Sequence, residues 1–183
     1  EQAIVSDKCN RSSSAREEIQ FCMDRKVLIT RITSLLKNGQ IPERVTHNDT
    51  KINNVMVDND TGAGICVIDL DTVMPGCILY DFGDMVRTMT CTAEEDEQDL
   101  LKVSMDIKLF EALLKGYLEI ADSFLVPAET ENLIVAGKLM TFTIGIRFLA
   151  DYLMGDVYFK IKHPTHNLER ARVQFKMIKS MEQ

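Results

Sequence analysis

The sequence lacks the cysteine spacings that are typical of metal sites, because its five cysteines include no Cys-x-x-Cys pair. They stand at positions 9, 22, 66, 77 and 91, an odd number that does not suggest a disulfide framework. Cys66 lies within an apolar run, where a free thiol behaves as a small hydrophobic side chain. Free thiols are typical of a reducing compartment, so we expect a cytoplasmic protein.

The sequence also lacks an apolar run of the ~20 residues that a membrane-spanning helix needs. Its first residues, Glu-Gln-Ala-Ile-Val, contain neither an initiator Met nor the residue order of a signal peptide, and we interpret them as the interior of a longer protein. The net charge of −7 argues against nucleic acid or an anionic membrane as the main partner. We therefore expect no nucleic-acid partner and no membrane partner.

The 183 residues are 45% hydrophobic and 27% charged, which is typical of an ordinary globular protein. A capping box from Ser14 to Glu17 predicts the start of a helix that Gly39 ends, because glycine readily adopts the left-handed cap conformation. Further along the chain, the spacing of apolar residues predicts helices over about 109–120, 129–152 and 165–181. We expect a single, mainly helical domain over residues 1–183.

Between these helical regions the sequence has the pattern of a β-hairpin. Val55 to Val57 and Ile65 to Ile68 are β-rich runs on either side of a polar turn that contains glycine. Residues 70–92 are predicted to be irregular, apart from a short helix within 81–89. The predicted fold class is therefore α+β, mainly helical, with one small hairpin.

This hairpin is expected to bring two polar residues together, beside a loop that carries a third. Asn54 enters the first strand and Asp69 leaves the second, and a two-stranded hairpin brings its own ends together. An amide oxygen and a carboxylate form an oxygen-only site that suits Mg²⁺. Asp49, in the preceding loop, is placed to orient a substrate hydroxyl and accept its proton, and Lys51 is placed to supply positive charge. Metal ligands, base and positive charge are the components of a phosphoryl-transfer site.

Asp49 and Asn54 alone would equally suit an ordinary polar turn with side chain–backbone hydrogen bonds. Asp69 and His47 at matching positions favour the functional interpretation. Asp71, two residues beyond Asp69, has either a metal contact or a local structural role, and the sequence does not distinguish the two.

Three stretches of the sequence carry a family resemblance. They are THNDTKINNVM at 46–56, VIDLDTVMPG at 67–76 and GIRFLADYLMGD at 145–156. The first two resemble the aminoglycoside phosphotransferase and choline kinase family, which has a protein-kinase-like fold. Together the three are similar to bacterial N-acetylhexosamine 1-kinases, and the resemblance runs from about residue 12 to the end.

The resemblance implies transfer of the γ-phosphate of ATP, with Mg²⁺, to the anomeric hydroxyl of N-acetylglucosamine or N-acetylgalactosamine. By position, it implies that Asp49 is the general base, that Asn54 and Asp69 hold Mg²⁺, and that His47 supports the loop. Lys51 belongs to a Thr-Lys pair where the wider family commonly has Leu-His.

In the sugar-kinase branch of the family, Arg147 and Tyr158 fall where the hexosamine is contacted, together with Asp49. From helical spacing alone, Arg147 would instead be expected to pair with Asp151, four residues further along the helix. The Gly-rich loop and strand lysine that hold the nucleotide phosphates are not found in the 183 residues. The resemblance thus makes the chain a C-terminal lobe, whose partner is an N-terminal lobe of the same protein, and we expect the isolated chain to be inactive.

Asp81-Phe82-Gly83 spells the metal-binding triplet of protein kinases. Asp81 does not end a hairpin strand, however, and that position is held by Asp69. We therefore predict that Asp81 caps a helix or anchors a loop.

The sequence leaves two alternative functions open. A kinase of the same fold for choline, homoserine or an aminoglycoside is an alternative, as is a non-catalytic fragment or pseudokinase. A sulfatase is rejected, because the sequence has no Cys-x-Pro-x-Arg or Ser-x-Pro-x-Arg segment.

Overall fold

The computed structural model describes residues 1–183 and shows a mainly helical chain with two small antiparallel sheets. The α-helices are α1 (Gln2–Ser6), α2 (Arg16–Asp24), α3 (Lys26–Lys37), α4 (Ile78–Met89), α5 (Ile107–Ala121), α6 (Pro127–Thr130), α7 (Leu133–Met154) and α8 (His166–Met181). The strands are β1 (Arg44–Thr46), β2 (Val55–Val57), β3 (Gly64–Val67) and β4 (Met74–Gly76). The predicted α+β, mainly helical fold class is confirmed.

The chain divides into two compact units. Unit 1 comprises residues 1–29, 91–105 and 141–183, and unit 2 comprises residues 30–90 and 106–140. The single domain expected over residues 1–183 stays a prediction.

The core of unit 1 is built on aromatic rings. Phe21 of α2 stacks on Phe175 of α8 with 4.8 Å between ring centroids, and Phe142 of α7 tilts against both rings. Such pairs contribute roughly 0.5–1.5 kcal/mol beyond the burial of their apolar area. Gly145 is required beside them, because a Cβ there would lie 2.5 Å from Cε1 of Phe175.

The acidic run at 94–99 is also held in unit 1. Asp96 accepts a hydrogen bond from Nζ of Lys162 at 2.6 Å and lies 3.0 Å from Nε2 of the buried His166. The other ring nitrogen of His166 accepts the backbone N–H of Lys162. The hydrogen bonds from Lys162 and His166 lower the pKa of Asp96 to about 2.

Unit 2 is organised around α4. Phe82 is fully buried with its ring 4.8 Å from that of Tyr117 on α5, and α4 also contacts β1 and the short 3₁₀ turn Ile52–Asn54. A Cβ on Gly83 would overlap with the carbonyl oxygen of Ala136 and lie 2.6 Å from Cγ of Met140. The glycine therefore allows α4 to approach the N-terminal half of α7 closely.

Both sheets of unit 2 have two strands. β2 pairs with β3 in the predicted hairpin, with Val55 opposite Val67. β1 pairs with β4, with Thr46 opposite Met74, and this second pairing was not predicted because 70–92 was expected to be irregular.

Several helix boundaries differ from the predictions. Ser14 is not an N-cap, because its hydroxyl donates to the carbonyl of Arg11 at 2.8 Å and α2 begins at Arg16 without a side-chain cap. The predicted continuous helix is broken at Arg25, whose guanidinium pairs with Glu182 and lies over the ring of Phe21. The helix expected from residue 129 begins as the separate α6, where the buried Glu129 accepts the backbone N–H of Val126 and pairs with Arg44.

Other predictions are confirmed. Gly39 follows α3 in the left-handed conformation, with a φ of 68°. The helices predicted near 109–120 and 165–181 are α5 and α8, and all five cysteines are free.

α7 is the one helix that is long and apolar enough to cross a membrane by its length and composition, with a mean hydropathy of 1.6 over its most apolar stretch. Half of that stretch is buried inside the protein, and core helices pass the same test. The expected absence of a membrane-spanning segment stays a prediction.

We predict that Gly83→Ala lowers the free energy of unfolding by roughly 1–3 kcal/mol, because the added methyl group overpacks the contact with α7. Gly116→Ala is the matched control, since a Cβ at this exposed position of α5 meets nothing within 4 Å. The control should be stabilised by up to ~1 kcal/mol through helix propensity. Urea unfolding measures both, and equal midpoints for the two variants would contradict the close packing of α4.

Candidate functional site

The candidate site lies in unit 2, in the loop between β1 and β2 and at the open end of the β2–β3 hairpin. β1 and β4 hold the start of this loop, and Gly76 of β4 faces it. A Cβ at Gly76 would overlap with Oγ1 of Thr46 and lie 3.1 Å from Oδ1 of Asn48. The loop thus lies directly against the β4 backbone.

Asp81 anchors the loop, which is one of the two roles predicted for it. Its Oδ2 accepts the backbone N–H of His47 and its Oδ1 accepts that of Asn48, both at 2.8 Å. Thr50 donates its hydroxyl to the carbonyl of Asp81 at 2.6 Å. The N-cap alternative is wrong, because α4 begins at Ile78 and its N-cap is Cys77. Burial raises the pKa of Asp81 against the lowering effect of the two amides.

His47 connects the loop to the end of the hairpin. Its Nε2 lies 3.0 Å from the carbonyl oxygen of Ile68, so that nitrogen carries the proton and donates. Its own carbonyl accepts the hydroxyl of Thr72 at 2.6 Å. The other ring nitrogen, Nδ1, is buried without a partner. Through these contacts His47 joins the loop to the residues that follow the hairpin.

The hairpin brings Asn54 and Asp69 to the same end, as expected. The backbone N–H of Ile68 donates to the carbonyl of Asn54 at 2.9 Å, so Asp69 is the first residue beyond this bond. Asp69 has a φ of 63°, a left-handed conformation that Asp tolerates better than most residues. Its side chain is exposed, whereas Asn54 is only 4% exposed.

Asp49, Lys51 and Asn54 are in direct contact. Oδ2 of Asp49 accepts hydrogen bonds from Nζ of Lys51 at 2.6 Å and from Nδ2 of Asn54 at 3.0 Å. The same Nδ2 donates to the Asp49 carbonyl at 2.8 Å. Oδ1 of Asp49 and Oδ1 of Asn54 accept no hydrogen bond, so each has its lone pairs available for a ligand.

The electrostatics of Asp49 follow from these bonds. Partial burial by itself would raise the pKa of the carboxyl, but the hydrogen bonds from Lys51 and Asn54 outweigh it and the pKa lies below its ordinary value. Asp49 is therefore an ionised, weakly basic carboxylate at neutral pH. Lys51, expected to supply positive charge to a phosphate, is paired with the carboxylate itself, a contact that the sequence did not indicate.

The donor set fits a magnesium ion that binds together with phosphate groups. No group of three or more His, Cys, Asp or Glu side chains is placed to hold a metal on its own. Mg²⁺ is commonly bound by one or two protein oxygens and completed by substrate phosphates and water. The Asn54 amide oxygen, with its nitrogen committed to Asp49, and the exposed Asp69 carboxylate provide such oxygens. Asp71 is exposed in the 3₁₀ turn that follows and makes no hydrogen bond.

Arg147 and Tyr158 lie in unit 1, where they contact each other. The guanidinium carbon of Arg147 is 5.5 Å from the centroid of the Tyr158 ring and 5.4 Å from that of Phe159, and Nη2 donates to the Tyr158 hydroxyl at 3.4 Å. The pair expected from helical spacing, Arg147 with Asp151, does not form. Asp151 binds backbone amides instead, and Arg147 has no carboxylate partner.

The hairpin end of this mainly helical fold carries a carboxylate, a side-chain amide oxygen and a second carboxylate, which are groups of the kind that phosphoryl transfer uses. Comparison with known families agrees, since the model of the phosphotransferase enzyme family, APH, matches residues 4–115. The matched region exceeds half of the chain and contains the loop, the hairpin and Asp81. The chain belongs to this family, which assigns it to the kinase-like transferases that act on small molecules.

We predict that Asp81→Asn loosens the loop, because an amide accepts only one of the two backbone N–H groups and turns its own NH₂ toward the other. Hydrogen exchange at the His47 and Asn48 amides should accelerate by about tenfold or more, which corresponds to ~1.4 kcal/mol of lost protection.

Asp84→Asn is the matched control on the same helix. Asp84 is buried and pairs with Arg87 at 2.8 Å, but it does not contact the loop. If the two variants protect the His47 and Asn48 amides equally at matched stability, the anchoring role of Asp81 is wrong.

Proposed function

We propose that this chain is the C-terminal catalytic lobe of a kinase with a protein-kinase-like fold, which transfers the γ-phosphate of ATP to the anomeric hydroxyl of N-acetylglucosamine or N-acetylgalactosamine. The observation that carries the proposal is the group at the hairpin end. There Asp49 keeps one carboxylate oxygen unengaged, Asn54 contacts the other, and Asp69 follows the backbone bond that joins Ile68 to Asn54.

Asp49 acts on the acceptor hydroxyl in this proposal. Its Oδ1 accepts the hydroxyl hydrogen and orients the oxygen for attack, while Lys51 and Asn54 hold Oδ2 and fix the direction of the carboxylate. A low pKa suits this role, because phosphoryl transfer passes through a loose transition state in which positioning matters more than base strength. The proton moves to Asp49 as the new oxygen–phosphorus bond forms and the bond from the γ-phosphorus to the bridging oxygen breaks, with ADP as the leaving group.

Asn54 and Asp69 serve the phosphate side of the site. Mg²⁺ bound with ATP would be held by Oδ1 of Asn54 and the carboxylate of Asp69, and would neutralise charge on the phosphates. Lys51, whose Nζ lies 2.6 Å from Oδ2 of Asp49, balances the negative charge of the base. Its catalytic role is therefore electrostatic.

The exposed apolar side chains on and beside the hairpin are an argument for an additional lobe that covers them. Nine apolar side chains between residues 52 and 74 are each 40–60% exposed, and clustered exposed apolar residues commonly mark interaction sites. They are Ile52, Met56, Val57, Ile65, Val67, Ile68, Leu70, Val73 and Met74. We propose that an N-terminal nucleotide-binding lobe of the same protein, with bound ATP, covers them.

Arg147 and Tyr158 support the proposal that the acceptor is a sugar. The Tyr158 ring is 71% exposed, and a sugar ring packs its C–H face on such an aromatic surface. The unpaired guanidinium of Arg147 can donate to hydroxyl or acetamido oxygens. Choline or an aminoglycoside would bring positive charge toward this cation, so the alternative acceptors are less well matched. A pseudokinase would have lost Asp49 or Asp69, and both are present.

The proposed setting of the kinase is the cytoplasm, without a nucleic-acid or membrane partner. Five free cysteines and a net charge of −7 support it.

Asp49→Asn in the longer protein should reduce turnover by a factor on the order of 10² or more while ATP with Mg²⁺ still binds, because the acceptor hydroxyl loses its base. Asp60→Asn, which makes the same charge change in the exposed turn of the hairpin, is the control and should keep wild-type turnover. Steady-state kinetics and nucleotide titration separate the two effects. Wild-type turnover in Asp49→Asn would remove Asp49 from the base role.

The two-lobe proposal predicts that the 183-residue chain alone phosphorylates none of a panel of sugars and amino alcohols, and that the longer protein is active on N-acetylhexosamines. ATP consumption and the position of the phosphate on the product are the measurements. Robust sugar phosphorylation by the isolated chain would refute the two-lobe arrangement. Preferential turnover of choline, homoserine or an aminoglycoside would refute the substrate assignment.

A further inference from the structure

The segment that follows α7 is held by an unusual number of hydrogen bonds to one carboxylate. Asp151, on the last turns of α7, is 2% exposed. Its Oδ1 accepts the backbone N–H groups of Val157 and Tyr158 at 3.0 and 2.9 Å, and its Oδ2 accepts that of Phe159 at 2.9 Å. Three consecutive amides of the segment 155–159 therefore converge on one side chain.

A fourth donor completes the shell around Asp151. Nδ2 of the buried Asn167, on α8, donates to Oδ2 of Asp151 at 3.0 Å and to Oδ1 of Asp156 at 2.9 Å. The single amide thus bridges two carboxylates. No cation pairs with Asp151, so its buried charge is compensated by amide N–H groups alone.

Asp156 holds the start of the same segment. It takes the left-handed conformation, with a φ of 59°, directly after Gly155 with a φ of 97°. The side chain of Arg11 donates both to Asp156 and to the carbonyl of Tyr152, the latter at 2.8 Å. The segment that leaves α7 is therefore held at Asp156 by Arg11 and at residues 157–159 by Asp151.

This arrangement determines where Tyr158 stands relative to Arg147. Arg147 and Asp151 are one helical turn apart on α7, so the helix that carries the guanidinium also carries the carboxylate that holds the Tyr158 backbone. The Tyr158 ring is largely exposed and has few contacts of its own beyond Arg147 and Phe159. Its position depends on the backbone bonds to Asp151.

We propose that Asp151 is a positioning residue for acceptor binding, which fixes the Tyr158 ring beside the Arg147 guanidinium. The inference rests on the proposed function, because it assigns the acceptor contact to these two side chains. Asp151 itself is buried beneath the segment and acts through it. Its loss should weaken acceptor affinity and leave the chemical step intact.

Asp151→Asn in the longer protein tests the inference in two ways. The amide side chain accepts fewer of the four donors and opposes one of them, so hydrogen exchange at residues 157–159 should accelerate by about tenfold or more. The KM for the N-acetylhexosamine should rise by about tenfold or more, with kcat and the KM for ATP within about threefold of wild type.

Glu18→Gln is the matched control in unit 1. Glu18 is a mostly buried carboxylate that pairs with Arg172 at 2.6 Å and does not contact residues 155–159. A general loss of stability would lower the active fraction, and hence the apparent kcat, in both variants at unchanged KM. Arg11→Gln, a milder change on the same segment, should raise the acceptor KM in the same direction and serves if Asp151→Asn does not fold.

The outcomes separate the inference from the function on which it rests. Unchanged exchange at residues 157–159 in Asp151→Asn overturns the inference, as does faster exchange with an unchanged acceptor KM. A wild-type protein that does not phosphorylate N-acetylhexosamines overturns the proposed function instead, whatever the exchange measurement shows. Faster exchange together with a selective rise in acceptor KM supports the positioning role.

Discussion

Two backbone N–H groups donate to one half-buried carboxylate, that of Asp81, and the candidate site depends on this contact. Asp81 leaves the first turn of α4 and holds the amides of His47 and Asn48, so the loop that carries Asp49 starts from a fixed position. His47 then reaches the carbonyl of Ile68 and joins the loop to the hairpin end, where Asp69 follows. The later contacts of the loop build on the position that this first contact gives it.

A carboxylate that accepts several backbone N–H groups also holds the segment that carries Tyr158, which is proposed to contact the acceptor. Asp151 holds three consecutive amides near Tyr158, as Asp81 holds two in the loop. In each case a helix supplies the carboxylate, half-buried for Asp81 and buried for Asp151, and the side chain with the proposed role lies on the irregular segment that the carboxylate binds. Amide donors stabilise the charge without a cation, so the segment is held while neighbouring cations such as Arg147 stay available for ligands.

Local patterns in the sequence predicted the features that local physics determines. The β-rich runs of β2 and β3 and the polar turn between them predicted the hairpin, and hence the approach of Asn54 to Asp69. The β1–β4 pair was not predictable, because three-residue strands carry little periodicity and their partners lie about thirty residues apart. The helical spacing of Arg147 and Asp151 suggested an ion pair. The Asp151 carboxylate instead accepts three backbone N–H groups from residues 157–159, which lie far enough along the chain that helical spacing does not indicate them.

The most direct test of the proposed phosphotransfer site is the location of the metal ion that Asn54 and Asp69 are proposed to hold. Mn²⁺ can replace Mg²⁺ with ATP in a ¹⁵N-labelled protein that carries both proposed lobes, and its paramagnetism broadens the amide signals nearest to it. The account predicts that the signals of Asn54 and Asp69 broaden first among those of residues 1–183, and that Asp69→Asn abolishes this pattern. Broadening that bypasses the hairpin end, or that is unchanged by Asp69→Asn, would contradict the account.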